Sequence, residues 1–419
     1  MMKKKSMIIL LILLFISGCS YFGSKETASD IYTRYHQGTR GLELRFVQGA
    51  PPPIVYDQEE DYIGQRDEIN ILVEVRNRGA FDIGTMVEDR PYGEGYILLH
   101  GYDETIIQNL KPFWMISGFD PTLGIIPLDD IGCFGDGVEG KSKYNAEGGY
   151  TVIEFPPKPK IPTIATGCPN IAGYSQIVLP DGVDYYKPNL VATACYEYYT
   201  EASPMVCIDP DPYAERTDKA CTVGGISRAV GKGAKSYVAA VEGIAGGQGA
   251  PLTITNVEEE AMPGRAQFKI YVQNTGGGEV MGLDTIYGAR CGFNSLLTYR
   301  DFDYFNYIVT MQDPKAILPS GEGSWIPWDL YRERTSPTSW KPWRTFTEIT
   351  KAFIVTGKQL DCDPKPPVRL DSSGRAIIYC KTAGFDFYGL SAYKTPINIK
   401  LSYGYMNSVS MPIEIRSSS

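Results

Sequence analysis

The chain has 419 residues and a formal net charge of −9, with 49 acidic side chains against 40 lysines and arginines. Because proteins bind the phosphate backbone through clustered lysine and arginine, an acidic chain without a basic cluster argues against a nucleic-acid partner. The length exceeds what one hydrophobic core usually supports, and the 44 glycines, 29 prolines and 29 tyrosines favour turns and strands over helices.

The N-terminal segment has the layout of a secretory signal. Three lysines at positions 3–5 precede ten uninterrupted apolar residues at positions 7–16. A membrane-spanning helix needs roughly 20 apolar residues, whereas about ten are typical of the apolar region of a signal peptide. An ordinary signal peptide or a short uncleaved anchor would share these features.

The end of the apolar run, Ile16-Ser17-Gly18-Cys19, resembles the lipobox of secreted lipoproteins. The resemblance implies that residues 1–18 are removed as a signal peptide and that Cys19 becomes a lipidated N-terminus. Residues 19–40, which begin with a mostly small and polar stretch, would then tether the folded part to the membrane. We therefore predict a secreted protein anchored to the outer face of the cell membrane, at the cell surface.

Two stretches, one in each half of the chain, resemble each other. The sequence LVEVRNRGAFDIG at 72–84 recurs as KIYVQNTGGGEVMG at 269–282, and the matched residues are Val75/Val272, Asn77/Asn274 and Gly79/Gly276. Apolar residues alternate with polar ones before the Asn-x-Gly, which predicts a half-buried strand that ends in a turn.

A second pair of similar stretches lies later in each half. The sequence CYEYYTEASPMVCI at 195–208 recurs as SYGYMNSVSMPIEI at 402–415, and the matched residues are Tyr196/Tyr403, Tyr198/Tyr405, Ser203/Ser410 and Ile208/Ile415. Both pairs keep the same order and nearly the same spacing, so we predict two copies of one domain, at 41–222 and 251–419. In the second copy, Asn407-Ser408 separates two alternating segments and predicts a closing hairpin.

Strands with turn signals and one apolar face each predict an all-β fold, in which each copy is an antiparallel two-sheet sandwich. The opening strand with its Asn-x-Gly and the late pair of strands resemble CARDB and related immunoglobulin-like domains of secreted prokaryotic proteins, particularly archaeal ones. The resemblance implies tandem Ig-like domains on a surface lipoprotein and carries no catalytic residues. Each copy has a long middle region, so we expect long inserted loops, where rigid scaffolds often place their function.

Cysteines behind a secretion signal are typical of disulfides. Apart from Cys19, eight of the nine cysteines remain, and the absence of a CxxC pair, with only two histidines in the chain, disfavours a zinc site. Eight cysteines allow many connectivities, so the pairing stays open. The pairs we prefer, because each closes a local loop, are Cys133–Cys168, Cys207–Cys221 and Cys362–Cys380.

A loop rich in proline and aspartate, CIDPDPYAERTD at 207–218, gathers four carboxylates. Calcium binds several carboxylate and carbonyl oxygens at once. A calcium site is therefore one interpretation, with the ligands Asp209, Asp211, Glu215 and Asp218. The loop lacks the glycine and terminal glutamate of an EF-hand, and a solvated acidic loop closed by a disulfide explains it more simply. We predict no other cofactor.

Residues 223–250 are rich in glycine and separate the two copies. Such a composition predicts a flexible connector or hinge. Its centre, at 234–243, is compatible with a short helix.

Tryptophan is concentrated in one segment, at 323–346, which holds Trp325, Trp328, Trp340 and Trp343. Flat aromatic faces beside arginine and aspartate suit stacking on a sugar or a protein hot spot. The alternative is that these side chains cover the core. The segment is therefore a candidate surface for binding a glycan or a protein.

The histidines offer little support for a catalytic triad. His36 and His100 are the only two, and no G-x-S-x-G motif accompanies them. We therefore predict a non-enzymatic, lipid-anchored surface protein that acts in adhesion, envelope structure or binding of a protein or glycan partner. Two alternatives remain: a secreted hydrolase of envelope polysaccharide, and a subunit of a surface filament or other homo-oligomer.

Overall fold

The computed structural model describes residues 36–57, 69–87, 90–92, 94–110, 125–128, 137–156, 175–214, 218–224, 226–230, 234–240, 247–288, 290–292, 296–312, 357–387 and 389–418. Strands make up nearly all of the regular structure in these ranges, and the one helix that they contain has five residues.

The strands of the first half include one long strand near its end, β12, and many short ones before it. In chain order they are β1 (Leu42–Phe46), β2 (Ile54–Asp57), β3 (Ile71–Asn77), β4 (Thr85–Val87), β5 (Arg90–Tyr92), β6 (Gly95–His100), β7 (Ile107–Gln108), β8 (Ile125–Pro127), β9 (Tyr150–Phe155), β10 (Gln176–Ile177), β11 (Tyr185–Tyr186), β12 (Asn189–Ala202) and β13 (Met205–Ile208).

The second half follows the same plan, with its longest strand, β24, again near the end. Its elements are β14 (Ile226–Val230), β15 (Ala234–Ala240), β16 (Leu252–Met262), β17 (Arg265–Asn274), β18 (Glu279–Met281), α1 (Leu283–Tyr287), β19 (Tyr304–Met311), β20 (Lys358–Gln359), β21 (Asp361–Asp363), β22 (Val368–Arg369), β23 (Arg375–Lys381), β24 (Tyr393–Pro412) and β25 (Glu414–Ser417).

The sheets pack against one another in layers. A central nine-stranded sheet has the order β20-β19-β24-β12-β6-β8, with β13, β18 and β22 attached to its members. Two outer sheets have the orders β1-β3-β9 and β14-β15-β16-β17-β23-β21. Strand β1 contacts β12 and β24, and β16 contacts β12, so the outer sheets lie on the central one. The predicted all-β sandwich fold is confirmed.

Alternation explains how the outer strands bury one face. In β3, Ile71, Val73 and Val75 are fully buried, whereas the residues between them are half-buried. Successive side chains of a strand point to opposite faces, so these three residues turn together toward the central sheet. There they join a core that contains the tyrosines of β12 and β24.

The first Asn-x-Gly motif closes a tight turn after β3. The side-chain NH2 group of Asn77 donates to the backbone carbonyl of Phe81 (2.7 Å), and the backbone N–H of Gly79 donates to the Asn77 side-chain oxygen (3.0 Å). The hydroxyl of Tyr198, on β12, accepts from the N–H of Phe81 (3.2 Å). One buried tyrosine therefore ties the turn of the outer sheet to the central sheet.

The second Asn-x-Gly motif repeats these bonds after β17. Asn274 donates to the carbonyl of Gly278 (2.8 Å), and the N–H of Gly276 donates to Asn274 (3.3 Å). The hydroxyl of Tyr405, on β24, accepts from the N–H of Gly278 (2.8 Å). The residues that match in sequence therefore have matching partners in the structure.

Strand pairing relates the two halves by an approximate two-fold axis. Strands β12 and β24 run antiparallel, with Tyr196 opposite Tyr405 and Tyr198 opposite Tyr403. Because Tyr196 matches Tyr403 in the repeat and Tyr198 matches Tyr405, the pairing is the same when the two halves are exchanged. All four rings are at most 1% exposed. The tyrosine cluster formed by these four side chains belongs to the hydrophobic core that the two halves share.

The central sheet crosses the boundary that we predict between 41–222 and 251–419. Strand β12 of the first half pairs along its whole length with β24 of the second. Each half also adds a strand to the other half. Ile208, on β13 of the first half, lies opposite Tyr393 on β24, and Ile415, on β25 of the second half, lies opposite Tyr186 on β11. The halves therefore share a sheet and a hydrophobic core.

The predicted hairpin at Asn407-Ser408 is wrong, because β24 continues through both residues to Pro412. The long partner strand β12 satisfies the backbone hydrogen bonds of β24 on both sides of this point. The side chains also have partners: Asn407 donates to the carbonyl of Leu42 (2.9 Å), and the Ser408 hydroxyl bonds that of Thr193 (2.7 Å).

The short helix considered for 234–243 is also wrong. Residues 234–240 form β15, which pairs with β14 on one side and β16 on the other. Tyr237 and Val238 have high strand propensity. Pairing with β15 also gives partners to the edge of β16, which a helix at this position would leave unpaired.

Candidate functional site

A groove of about 470 Å³ lies on the outer face of the second-half sheet, across β16, β17, β23 and β21. Eight of the twelve lining residues are polar or charged, and the other four are Tyr379, whose ring is exposed, and three residues whose side chains are buried. The residues are Glu258, Glu260, Gln267, Phe268, Lys269, Asp361, Cys362, Asp363, Lys365, Tyr379, Cys380 and Lys381.

Strict alternation in the sequence builds this face. On β16, Val257 and Glu259 are buried, whereas Glu258 and Glu260 point outward. On β17, Phe268 is buried between outward-facing neighbours. The period of two therefore separates a core face from a polar face along the same strands.

Strand register arranges the outward residues in two parallel rows. The first row runs from Glu258 through Lys269 and Tyr379 to Asp363. The second row runs from Glu260 through Gln267 and Lys381 to Asp361. Each row begins and ends with a carboxylate and has a lysine in between.

Ion pairs join lysines to carboxylates in the groove. Lys365 and Lys381 lie 2.7 and 3.3 Å from the carboxylate of Asp361, and Lys269 lies 3.9 Å from that of Glu258. The hydrogen bonds from Lys365 and Lys381 lower the pKa of Asp361. These ion pairs are exposed and contribute little to stability, and they bring ammonium groups next to carboxylates along the groove.

A disulfide joins two strands under the groove. Cys362 on β21 is bonded to Cys380, which lies opposite it on β23. Both side chains are buried. The short strand β21 is thereby attached covalently to the sheet, so the carboxylates of Asp361 and Asp363 lie on a rigid frame.

The disulfides agree in part with the pairs preferred from the sequence. Cys207–Cys221 and Cys362–Cys380 are bonded, whereas Cys133 and Cys168 lie outside the described residues. The structure adds Cys195–Cys291, which spans 96 residues and joins β12 to the segment after α1. No local spacing distinguishes this pair, because its partners come from different halves of the chain.

The acidic loop contains an internal cation. The ammonium of Lys219 lies 2.7 Å from the carboxylate of Asp209 and donates to the carbonyl of Asp211 (2.6 Å), and this ion pair is buried. A calcium ion at the same position would be repelled by that ammonium. Asp218 is exposed, and Glu215 lies outside the described residues. Among the described side chains, no three of His, Cys, Asp or Glu are grouped so as to hold a metal.

The predicted lipidation site and the predicted tryptophan surface both fall outside the part of the chain that the structure describes. Cys19 and the four tryptophans, Trp325, Trp328, Trp340 and Trp343, lie outside the described residues. His100 is on β6, where its Nε2 atom bonds the Thr193 hydroxyl at 2.9 Å. His100 belongs to the central sheet and does not line the groove.

Glu259 lies on the opposite face of β16 from the groove and is 3% exposed. Its Oε2 atom accepts from the backbone N–H of Cys207 (3.1 Å), whereas Oε1 has no hydrogen-bond partner among the described residues. Burial disfavours the charged carboxylate and raises the pKa of Glu259 to about 7. The charge of Asp209 acts in the same direction, and the Cys207 N–H opposes it.

We expect Glu259→Gln to remove a pH dependence of stability. The unfolded carboxyl ionises near pH 4.5, whereas the folded one keeps its proton until about pH 7. Between these values the unfolded state has released a proton that the folded state retains, so rising pH favours unfolding. At ~1.4 kcal/mol per pKa unit, the wild-type free energy of unfolding falls by about 3 kcal/mol relative to the variant. Urea unfolding from pH 4 to 8 measures the difference.

The matched control is Glu258→Gln, which changes the neighbouring outward carboxyl in the groove. Its free energy of unfolding should follow that of the wild type across the same pH range. A constant difference between wild type and Glu259→Gln would show that the folded carboxyl is not shifted.

No protein-family model and no curated protein matches this sequence. In the parts of the chain that the structure describes, no helix is long and apolar enough to cross a membrane.

Proposed function

We propose that this chain is a non-enzymatic, lipid-anchored protein of the outer face of the cell membrane. It binds a protein or glycan partner of the envelope through the groove across β16, β17, β23 and β21. The observation that carries this proposal is the groove itself: two rows of donors and acceptors on a disulfide-linked sheet. Preformed concave sites with a few placed polar groups are typical of sites that bind a ligand or a substrate.

The sequence supports the location. The lipobox-like residues before Cys19 and the preceding apolar run favour export and lipid anchoring. Three disulfides among the described residues are typical of proteins in oxidising compartments. The likeness to CARDB-related immunoglobulin-like domains belongs to the same proposal, as does an archaeal surface as the setting.

The lysines beside Asp361 argue against this carboxyl as the acid of a hydrolase. A glycosidase needs one carboxyl that keeps its proton near neutral pH and can act as an acid. In the groove, lysines lower the pKa of Asp361 and keep that carboxylate charged.

Reversing one charge in the groove tests the proposal. We expect Lys381→Glu to weaken binding of the full-length chain to detergent-washed cell envelopes by about tenfold, because the new carboxylate lies opposite Asp361 and breaks the arrangement of the second row. Binding is measured by co-sedimentation over a range of protein concentrations. Washing with detergent removes the bilayer, so a lipid anchor cannot contribute.

Lys187→Glu is the matched control. The Lys187 side chain is 58% exposed and lies 3.2 Å from Glu414, whereas Lys381 is 57% exposed and lies 3.3 Å from Asp361. The control makes the same charge change on a similarly exposed lysine that does not line the groove. It should therefore bind within about twofold of the wild type. Equal binding by all three proteins would mean that the groove is not the binding face.

A further inference from the structure

We infer that the groove binds a neutral saccharide chain, with the ring of Tyr379 as its stacking platform. This inference rests on the proposed function and specifies its ligand.

Tyr379 presents an aromatic surface in the middle of the first row. Its side chain is 50% exposed, although it stands on a strand with buried neighbours on either side. Register places Lys269 and Asp363 on its two flanks, and the Lys269 ammonium is 5.7 Å from the ring centroid. The apolar C–H face of a sugar ring packs well on such a surface, while the sugar hydroxyls remain at the ring edge.

The side chains beside Tyr379 can form hydrogen bonds with the hydroxyl groups of a sugar. A hydroxyl both donates and accepts, so it can bond a carboxylate and an amide or ammonium at the same time. Asp363 supplies acceptors beside the platform, and Gln267 supplies a donor and an acceptor in the adjacent row. Paired groups of this kind suit a polyhydroxyl ligand.

The charge balance disfavours a charged ligand of either sign. The lining contains four carboxylates, at the two ends of the rows, and three lysines among or near them. A polyanion would meet the carboxylates of Glu258 and Asp363, and a basic peptide would meet the lysines, at unfavourable short range. A neutral saccharide meets neither repulsion.

The length of the rows suits a chain of several sugars. Four strands at about 4.8 Å spacing give a row of about 14 Å, and the two rows are about 7 Å apart along the strands. This is longer than one sugar ring, so contacts with neighbouring rings would add to the stacking on Tyr379.

Titration calorimetry on the full-length chain in detergent tests the inference. The probes are the linear hexasaccharides of glucose, mannose and N-acetylglucosamine, with a hexamer of galacturonic acid as the anionic comparison. We expect at least one neutral hexamer to bind in the micromolar to millimolar range and the anionic one to bind at least tenfold more weakly. Tyr379→Ala should lose at least tenfold in affinity, whereas Tyr379→Phe, which keeps the ring, should stay within about threefold.

Tyr150→Ala is the matched control for the platform. Tyr150 is 62% exposed on the third strand of the other outer sheet, and a cation, Arg76, lies 5.1 Å from its ring centroid. It does not line the groove, so its loss should leave saccharide binding unchanged. Equal losses for Tyr150→Ala and Tyr379→Ala would contradict a site at Tyr379.

Hexamer binding and envelope binding together distinguish failure of the saccharide inference from failure of the proposed function. If no neutral hexamer binds while envelope binding still depends on Lys381, the saccharide inference is wrong and the proposed function stands. If envelope binding does not depend on Lys381 either, both are wrong. Release of shorter saccharides during the titration would support the ligand class and overturn the non-enzymatic assignment.

Discussion

Replacing both Cys195 and Cys291 with alanine is expected to lower the free energy of unfolding by about 5 kcal/mol. The bond spans 96 residues, and a cross-link of this length removes much of the conformational freedom of the unfolded chain. Both cysteines are fully buried, in a small cluster with Tyr96, Leu98 and Ile286. Their loss therefore also removes packing between β12 and the segment that follows α1. Guanidinium unfolding followed by circular dichroism measures the change.

The double replacement of Cys207 and Cys221 is the matched control. This disulfide spans only 14 residues, so the entropic model predicts a smaller loss, about 3 kcal/mol. The comparison tests whether the 96-residue bond constrains the two halves relative to each other. A loss for Cys195 and Cys291 no larger than that of the control would contradict this role.

Adding one methyl group at Gly79 is expected to cost about 4 kcal/mol of stability, near the upper end of single-site effects. A β-carbon at this position would overlap the hydroxyl of Tyr198 and the backbone carbonyls of Gly249 and Arg40. Backbone atoms cannot move aside as a flexible side chain can, so the turn, β12 and two chain segments would all have to shift. Thermal and urea unfolding of Gly79→Ala measure the cost.

Gly276→Ala repeats the experiment in the second half. A β-carbon at Gly276 would overlap the side chain of Pro251 and the hydroxyl of Tyr405, so we expect a loss of similar size. Gly224→Ala is the control, since a β-carbon at Gly224 has no atom within 4 Å, and its effect should stay within about 0.5 kcal/mol. Losses confined to one of the two repeat glycines would contradict the equivalence of the two turns.

Gly79 and Gly276 meet the same packing requirement in the two halves of the chain. Each Asn-x-Gly turn must pass close to a tyrosine hydroxyl of the central sheet, and only glycine leaves room for that approach. The hydroxyls of Tyr198 and Tyr405 then satisfy backbone N–H groups that would otherwise be buried without a partner. Sequence similarity at these positions therefore reflects a shared packing requirement.

Part of the candidate site follows from the sequence. The alternation of Val257 to Glu260 on β16 and of Gln267 to Lys269 on β17 assigns each residue to a core or an outer face. Which outward residues meet depends on β21 and β23, which lie about a hundred residues further along the chain. The tryptophans of 323–346, which the sequence pattern favours as a binding surface, lie outside the described residues.

The amino-acid sequence by itself predicted an all-β fold, the paired Asn-x-Gly turns, and two of the disulfides that the structure contains, Cys207–Cys221 and Cys362–Cys380. These features depend on periods of two residues and on groups close together in the chain. The tertiary structure decided that β12 and β24 form one sheet, that Cys195 bonds Cys291, that 234–240 is a strand, and that the carboxylates and lysines form rows. Each of these depends on register between strands far apart in the chain, which is set by burial and backbone pairing in the folded molecule.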